Sequence, residues 1–149
     1  MLHRPIRKRF PRNPYSVNNV LDVFECDFVD VHVLSKFNDG YKYLLTVIDV
    51  FSKFLHIVSL KSKTGKDVSS EFQSVLHDPK YTKPIKRHPV WVRTDKEKEF
   101  LNTTFQNLLN REGIQFQVCK NSDIKCSLIE RAHRTIRDKL YKYFTYKNT

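Results

Sequence analysis

Asp27 sits inside the apolar run Phe24-Glu25-Cys26-Asp27-Phe28-Val29, Asp95 follows the apolar run Val90-Trp91-Val92, and Glu130 opens a long basic helical stretch. Three carboxylates of this kind could hold a pair of hard divalent cations, which take oxygen ligands and, when ~3.5–4 Å apart, activate an attacking oxygen while stabilising a leaving one. That chemistry is phosphoryl transfer on a nucleic acid. An aspartate in the middle of an apolar strand is costly to bury as a bare ion, so Asp27 requires either a cation or a water-filled cleft. Asp30 and Asp49 are rival strand acids, and Glu25 shares a strand face with Asp27 through the two-residue alternation. Any of them could instead be salt-bridged or edge-exposed. A lone strand acid is more often structural than catalytic, so the surrounding residues have to decide.

The last segment is the most readable. At 100° per residue, a helix over residues 127–146 gathers Leu128, Ile129, Ala132, Ile136, Leu140 and Tyr143 on one side, the core side. Glu130, Arg134, Arg137 and Tyr141 form a narrow stripe on the opposite side, because steps of four, seven and eleven residues return near one angle. The plain account is a solvated face with a Glu130–Arg134 salt bridge worth about 0.3–0.5 kcal/mol. Taken with Asp27 and Asp95, the stripe instead reads as a metal-site carboxylate with phosphate-binding arginines leading away along a bound strand.

These residues need a scaffold. β-Branched and aromatic residues dominate Val23 to Val33, Asp39-Gly40 supplies a hairpin-type turn, and Tyr41–Val50 and Phe54–Leu60 complete a three-strand meander. Thr64 caps a helix whose Val68, Phe72, Val75 and Leu76 fall at helical spacing. Pro79, Pro84 and Pro89 with Lys80, Lys83, Lys86 and Arg87 form an exposed basic loop before the short buried strand Val90–Val92. A second helix runs over Phe100–Arg111 with Leu101, Phe105, Leu108 and Leu109 on one side, is ended by Gly113, and leads to a fifth strand, Ile114–Val118. The order βββαβαβα predicts an α/β fold: a five-stranded mixed sheet flanked by helices.

At 149 residues the chain suits one domain, and its 40% hydrophobic and 13% aromatic composition excludes a disordered protein. Lys plus Arg number 27 against 16 Asp plus Glu, and the net charge of +11 points to a polyanionic partner. Nucleic acid is favoured over membrane, since no segment pairs a lysine-rich face with a lipid-seeking one. Residues 1–19 read as a basic arm or linker, with Arg4, Arg7, Lys8, Arg9 and Arg12 and no acid before Pro14. Such an arm either stays solvated or tracks a phosphate backbone. No run of 18 apolar residues could span a bilayer, and Met1–Pro14 lacks the apolar core of a signal peptide, so the expectation is a soluble intracellular protein. Cys26, Cys119 and Cys126 form no CxxC pair and are expected to be reduced, buried thiols.

Four stretches together resemble the catalytic core of the retroviral integrase superfamily, over about Val20 to the C-terminus. They are Phe24-Glu25-Cys26-Asp27-Phe28-Val29-Asp30, Tyr41 through Lys53, Arg93-Thr94-Asp95-Lys96-Glu97-Lys98-Glu99-Phe100, and Ile129 through Ile136. The resemblance implies an RNase H-like fold with an Asp-Asp-Glu metal triad. Asp27, Asp95 and Glu130 would then bind two divalent ions, Mg²⁺ or Mn²⁺, and Arg134 and Arg137, with Tyr141 and Lys125, would touch DNA. It also implies a Mg²⁺-dependent polynucleotidyl transferase that processes DNA 3′ ends and joins them to target double-stranded DNA, acting in the nucleus as a homodimer or larger homo-oligomer. Asn121 to Cys126 and Leu140 to Thr145 most resemble the integrases of Polinton (Maverick) DNA transposons, with gypsy-type retrotransposons as the other source. Two departures stand out: 34 residues rather than the usual 35 separate Asp95 from Glu130, and Glu97 occupies a position where the family tends to have Gly. The chain also lacks the His-His-Cys-Cys zinc module that commonly precedes this core, so a core cut from a longer polyprotein or transposase is expected. A hydrolytic nuclease of the same fold is one rival. A domesticated, catalytically weak core that binds DNA or protein is the other.

Overall fold

The structure, a computed structural model, describes residues 19–77, 88–119 and 127–147. Five strands, β1 (Val23–Asp30), β2 (Tyr43–Asp49), β3 (Leu55–Leu60), β4 (Trp91–Thr94) and β5 (Gln115–Val118), form one sheet in the order β3-β2-β1-β4-β5. The meander β1-β2-β3 is antiparallel, and β4 and β5 add in parallel on the other side of β1. The central strand is therefore β1, hydrogen-bonded along both edges. The expected mixed five-stranded sheet flanked by helices is what forms.

Strand alternation divides the sheet into two faces with different chemistry. Phe24, Cys26 and Phe28 of β1 join Leu45, Val47 and Val92 in the main core, where α1 (Gly65–Leu76) and α3 (Thr103–Arg111) contribute Val68, Phe72, Phe105 and Leu108. The ring of Phe28 stacks on Phe100 at 4.7 Å, and Phe100 and Phe72 each meet Phe105 edge-on at 5.3 Å. This aromatic contact ties the segment after β4 directly to the residue following Asp27. On the opposite face, α4 (Ser127–Lys147) crosses β1 and β2, where Ile129 and Ile48 are buried with Leu55, Leu128 and Ala132 packed around them.

Several boundaries differ from the sequence expectation. β1 ends at Asp30, and Val33 lies in a 3-10 turn (His32–Leu34) at 81% exposure. Asp39 and Gly40 do adopt consecutive left-handed conformations, φ 60° and 84°, but they close a longer connection instead of a two-residue hairpin. The expected helix over Phe100–Arg111 is two: α2 (Lys98–Leu101) and α3, separated by extended Asn102. That break turns Phe100 into the core and leaves Leu101 42% exposed. On α4, Ile129 is buried and Ala132, Ile136 and Leu140 half-buried, but Tyr143 is exposed and Phe144 turns inward instead. Cys26 is buried and Cys119 half-buried, both as free thiols. The basic arm before residue 19, most of the loop carrying Lys80 to Arg87, Lys125 and Cys126 lie outside the described residues.

Asn102 is the joint of the helical layer. Its side-chain oxygen accepts from the Phe105 amide at 2.9 Å, capping α3, while its amide group donates to the Glu99 carbonyl at the end of α2. Gly65, at the start of α1, makes room for it: a Cβ there would lie 2.5 Å from Asn102 Oδ1. Gly65→Ala should therefore lower the unfolding temperature although alanine has a helix propensity better by about 1 kcal/mol. Asn102→Ala should cost about 1 kcal/mol as a lost cap. In the double variant the Gly65 penalty should vanish, and thermal unfolding of the four proteins checks this; additive losses would contradict it.

Candidate active site

Parallel pairing of β4 with β1 sets Thr94 opposite Cys26 and carries the chain out of the sheet at Asp95, level with Asp27. α4, packed across β1 and β2, brings Glu130 over the same strand ends. Asp27, Asp95 and Glu130 line one open cleft of ≈ 610 Å³, together with Glu97, His133, Arg134, Arg137 and Tyr141. The helical stripe foreseen from spacing thus borders the same cleft as the two aspartates. The Asp27 side chain is 15% exposed and Asp95 half-buried, whereas Glu130 is exposed on the helix.

Burial pushes the Asp27 carboxyl up to about 6, opposed by the Phe28 N–H that donates to Oδ1 at 2.8 Å and reinforced by the negative charges of Asp95, Glu97 and Glu130. The acids therefore already feel one another. Among the described residues no three His, Cys, Asp or Glu side chains stand close enough to grip one ion, so the trio borders a shared cleft and does not form a closed cage. The donor chemistry nonetheless suits a hard divalent cation: carboxylate oxygens from three elements, and a half-dry aspartate that has no Lys or Arg ion pair among the described residues. Cations are supplied nearby, by Arg134 and Arg137 on the cleft wall.

The rival acids part company here. Asp49 is 3% exposed and its oxygens accept from the Leu21 amide, the Phe51 amide and the Ser52 hydroxyl, at 3.2, 3.1 and 3.0 Å; it shapes the turn after β2. Asp30 is exposed and accepts from the His32 amide at 2.9 Å. Glu25 is buried beneath the cleft with Arg93.

His133 is a site residue that the sequence reading missed. Its Nε2 lies 2.6 Å from the Thr46 hydroxyl and its Nδ1 3.6 Å from Asp27 Oδ2, at 7% side-chain exposure. Thr46 is the β2 register partner of Asp27. Burial, then the Arg137 charge, depresses the imidazole to about 4, so the ring is neutral. The one Thr46 hydroxyl proton goes to the Asp27 carbonyl at 2.9 Å, so the neutral ring donates from Nε2–H to the Thr46 oxygen and turns its unprotonated Nδ1 toward the Asp27 carboxyl. A polar residue three places after Glu130 shares its helical neighbourhood, and that spacing was the available signal.

Glu97 reaches the cleft but is held from the side. Lys63 places Nζ 3.8 Å from Glu97 Oε2 and 3.5 Å from Glu99 Oε1, above the rings of Phe28 and Tyr43 at 5.2 and 5.1 Å. Burial raises the Glu97 carboxyl, with Lys63 opposing and Glu99 and Asp95 adding to the rise.

Asp27 and His133 act on stability with opposite signs. The folded value of Asp27 lies above its ordinary 3.8, so its contribution is full below about 4 and is lost as pH rises through about 6. His133 is depressed from 6.5, so its contribution is lost as pH falls through about 4. Asp27→Asn removes only the first. In metal-free buffer the variant should gain stability relative to wild type by roughly 2–3 kcal/mol between pH 4 and pH 7. Denaturant titrations at the two pH values check this, and a difference that does not move with pH contradicts it.

Residues 18–123 match the integrase core domain family, a match that ends before Glu130. A transposon-derived protein of Caenorhabditis elegans is 38% identical over 112 residues, 75% of this chain and 37% of that protein. Among solved structures, a chain of the simian T-cell lymphotropic virus intasome, determined in complex with the PP2A regulatory subunit B56 gamma, superposes with a TM-score of 0.75 at 17% identity, covering 95% of this chain and 48% of that one. The catalytic core domains of BIV integrase, at 17% identity, and of HTLV-2 integrase in complex with magnesium, at 22%, each give a TM-score of 0.60 over 84% of this chain and 72% of theirs. The chain thus spans about half or less of the intasome chain and of the nematode relative. These likenesses identify the sheet and helices as the RNase H-like fold of integrase cores. The chain belongs to the integrase core domain family.

Proposed function

We propose that this chain is the catalytic core of a DNA integrase or transposase that processes DNA 3′ ends and joins them to target DNA. Asp27, Asp95 and Glu130 would hold two divalent ions, Mg²⁺ or Mn²⁺. The observation that carries this reading is the single cleft lined by those three acids and by Arg134, Arg137 and Tyr141. The bound ions would supply activation of the attacking oxygen and stabilisation of the leaving one. Everything else falls to the protein's own groups.

In processing, a water oxygen attacks phosphorus; in joining, a DNA 3′ hydroxyl does. In each case one P–O bond forms as the attacking oxygen gives up its proton to solvent, the bond to the leaving 3′ oxygen breaks, and that oxygen picks up a proton from solvent. Arg134 and Arg137 clamp phosphate oxygens with paired N–H donors and keep the scissile group in line. Tyr141, exposed one helical turn beyond Arg137, offers a ring and a hydroxyl to the next nucleotide. Thr46 holds Asp27 from behind by donating its hydroxyl to the Asp27 carbonyl, and His133 holds Thr46. Two DNA ends must be handled together, so a homodimer or larger assembly is part of the proposal, as are nuclear action, a DNA-tracking arm at residues 1–19, the core from residue 20 onward, and Lys125 as a further DNA contact.

A Polinton (Maverick) origin, with gypsy-type elements as the alternative, rests on the resemblance of Asn121 to Cys126 and Leu140 to Thr145; the transposon-derived relative supports a mobile-element ancestry in general. One observation favours a second reading. Glu97 adds a carboxylate to the cleft, which suits a domesticated core that binds DNA or protein and catalyses weakly. Strand-transfer assays with Mg²⁺ separate the two.

Asp95→Asn should abolish metal-dependent strand transfer while leaving the unfolding temperature nearly unchanged; an unaltered rate would refute the assignment. Arg134→Ala and Arg137→Ala should each weaken DNA binding across all sequences and reduce the slope of log affinity against log salt by about 1. Equal salt slopes in wild type and both variants would remove the arginines from the DNA path.

A further inference from the structure

Glu25 is 4% exposed and stands two residues before Asp27 on the central strand, with its side chain on the same sheet face. Its register partner across the parallel ladder is Arg93, whose Nη1 lies 3.9 Å from Glu25 Oε1. Arg93 is two residues before Asp95. From above, the backbone N–H of Ile129 in the first turn of α4 is directed at the same carboxylate, and Ile129 immediately precedes Glu130. One buried side chain thus meets all three elements that carry the acids, in each case one or two residues from the acid itself.

Stability does not account for this arrangement. The ion pair is long, and Glu25 Oε2 is buried without a hydrogen-bond partner among the described residues. Taking such a pair out of water costs more than a loose contact returns, and well-packed apolar residues of similar volume hold a helix on a sheet as firmly or more so. Ile48 and Ile129 already supply an apolar contact between α4 and β2. What the carboxylate adds is direction, because an ion pair and a backbone amide fix an angle that aliphatic packing leaves free.

We propose that Glu25 is a positioning residue that pins the start of α4 to β4 through Arg93 and so sets the mutual placement of Asp27, Asp95 and Glu130. The proposal rests on the reading of those three acids as the ion-binding set. It concerns no contact between Glu25 and the reacting atoms.

The test uses the full chain, with three readouts: Mn²⁺ binding by titration calorimetry, thermal unfolding, and DNA binding in metal-free buffer. Replacing both partners, Glu25→Met with Arg93→Met, removes the polar hub while keeping volume. The double variant should unfold at or above the wild-type temperature and bind DNA as wild type does. Its Mn²⁺ affinity should nevertheless fall ~10–100-fold, the loss typical when a residue orienting metal ligands is removed. Unchanged Mn²⁺ affinity in the folded double variant overturns the proposal. If that variant does not fold, Glu25→Gln, which keeps the shape and drops the charge, is judged by the same criterion. A wild-type chain that takes up no Mn²⁺ removes the three-acid reading itself, a failure distinct from that of the Glu25 role.

Discussion

The structure is organised around a carboxylate that the fold does not allow to escape. Asp27 lies on the central strand, paired with Thr46 of β2 and one residue past the end of the ladder with β4, and its side chain is held in a largely dry position near other negative groups. A surface acid in such company would swing into water. Asp27 instead stays in place, and in the proposed reading the surrounding elements are the means of presenting it to a cation. β4 delivers Asp95 because its parallel ladder with β1 ends at the same level, and Phe100 stacked on Phe28 locks the segment beyond Asp95 against β1. α4 contributes Glu130 at its start and arginines along its length, so one rigid helix carries both a candidate ligand and the positive charge that would meet a phosphate backbone.

Charge near this cleft is handled with some care. Glu97 would crowd the acids further were it not held toward Lys63, whose ammonium group is boxed by two rings and two carboxylates. That box links the connection after β3 to the segment after β4, across the end of β1. A glycine at position 97 would need no such counterweight, so the lysine and the glutamate are best understood as one unit.

Much of this was legible in the chain. Strand alternation in Phe24 to Val29, the capping Thr64 and the 100° wheel over residues 127–146 all act locally, and they located the strands, α1 and the Glu130-Arg134-Arg137-Tyr141 stripe. What escaped depended on contacts between distant residues. Asn102 breaks the second helix because it caps α3 while filling the space left by Gly65, 37 positions earlier. His133 belonged to neither side of the helical wheel; its meaning comes from Thr46, 87 residues away. The acids Asp27 and Asp49 have similar neighbours in sequence, and only the turn that wraps Asp49 in two amides and a hydroxyl separates it from Asp27, which borders the cleft with a single amide on its carboxylate. Tyr143 is exposed because the inward position at that end of α4 falls to Phe144.

The central claim is that three acids from β1, the end of β4 and the start of α4 act as one cation-binding set. Anomalous diffraction from crystals of the full chain soaked in Mn²⁺ tests it most directly. The account predicts anomalous peaks bounded by the carboxylates of Asp27, Asp95 and Glu130 at oxygen-ligand distances. Manganese bound elsewhere, or peaks that leave any one of the three acids untouched, would contradict it.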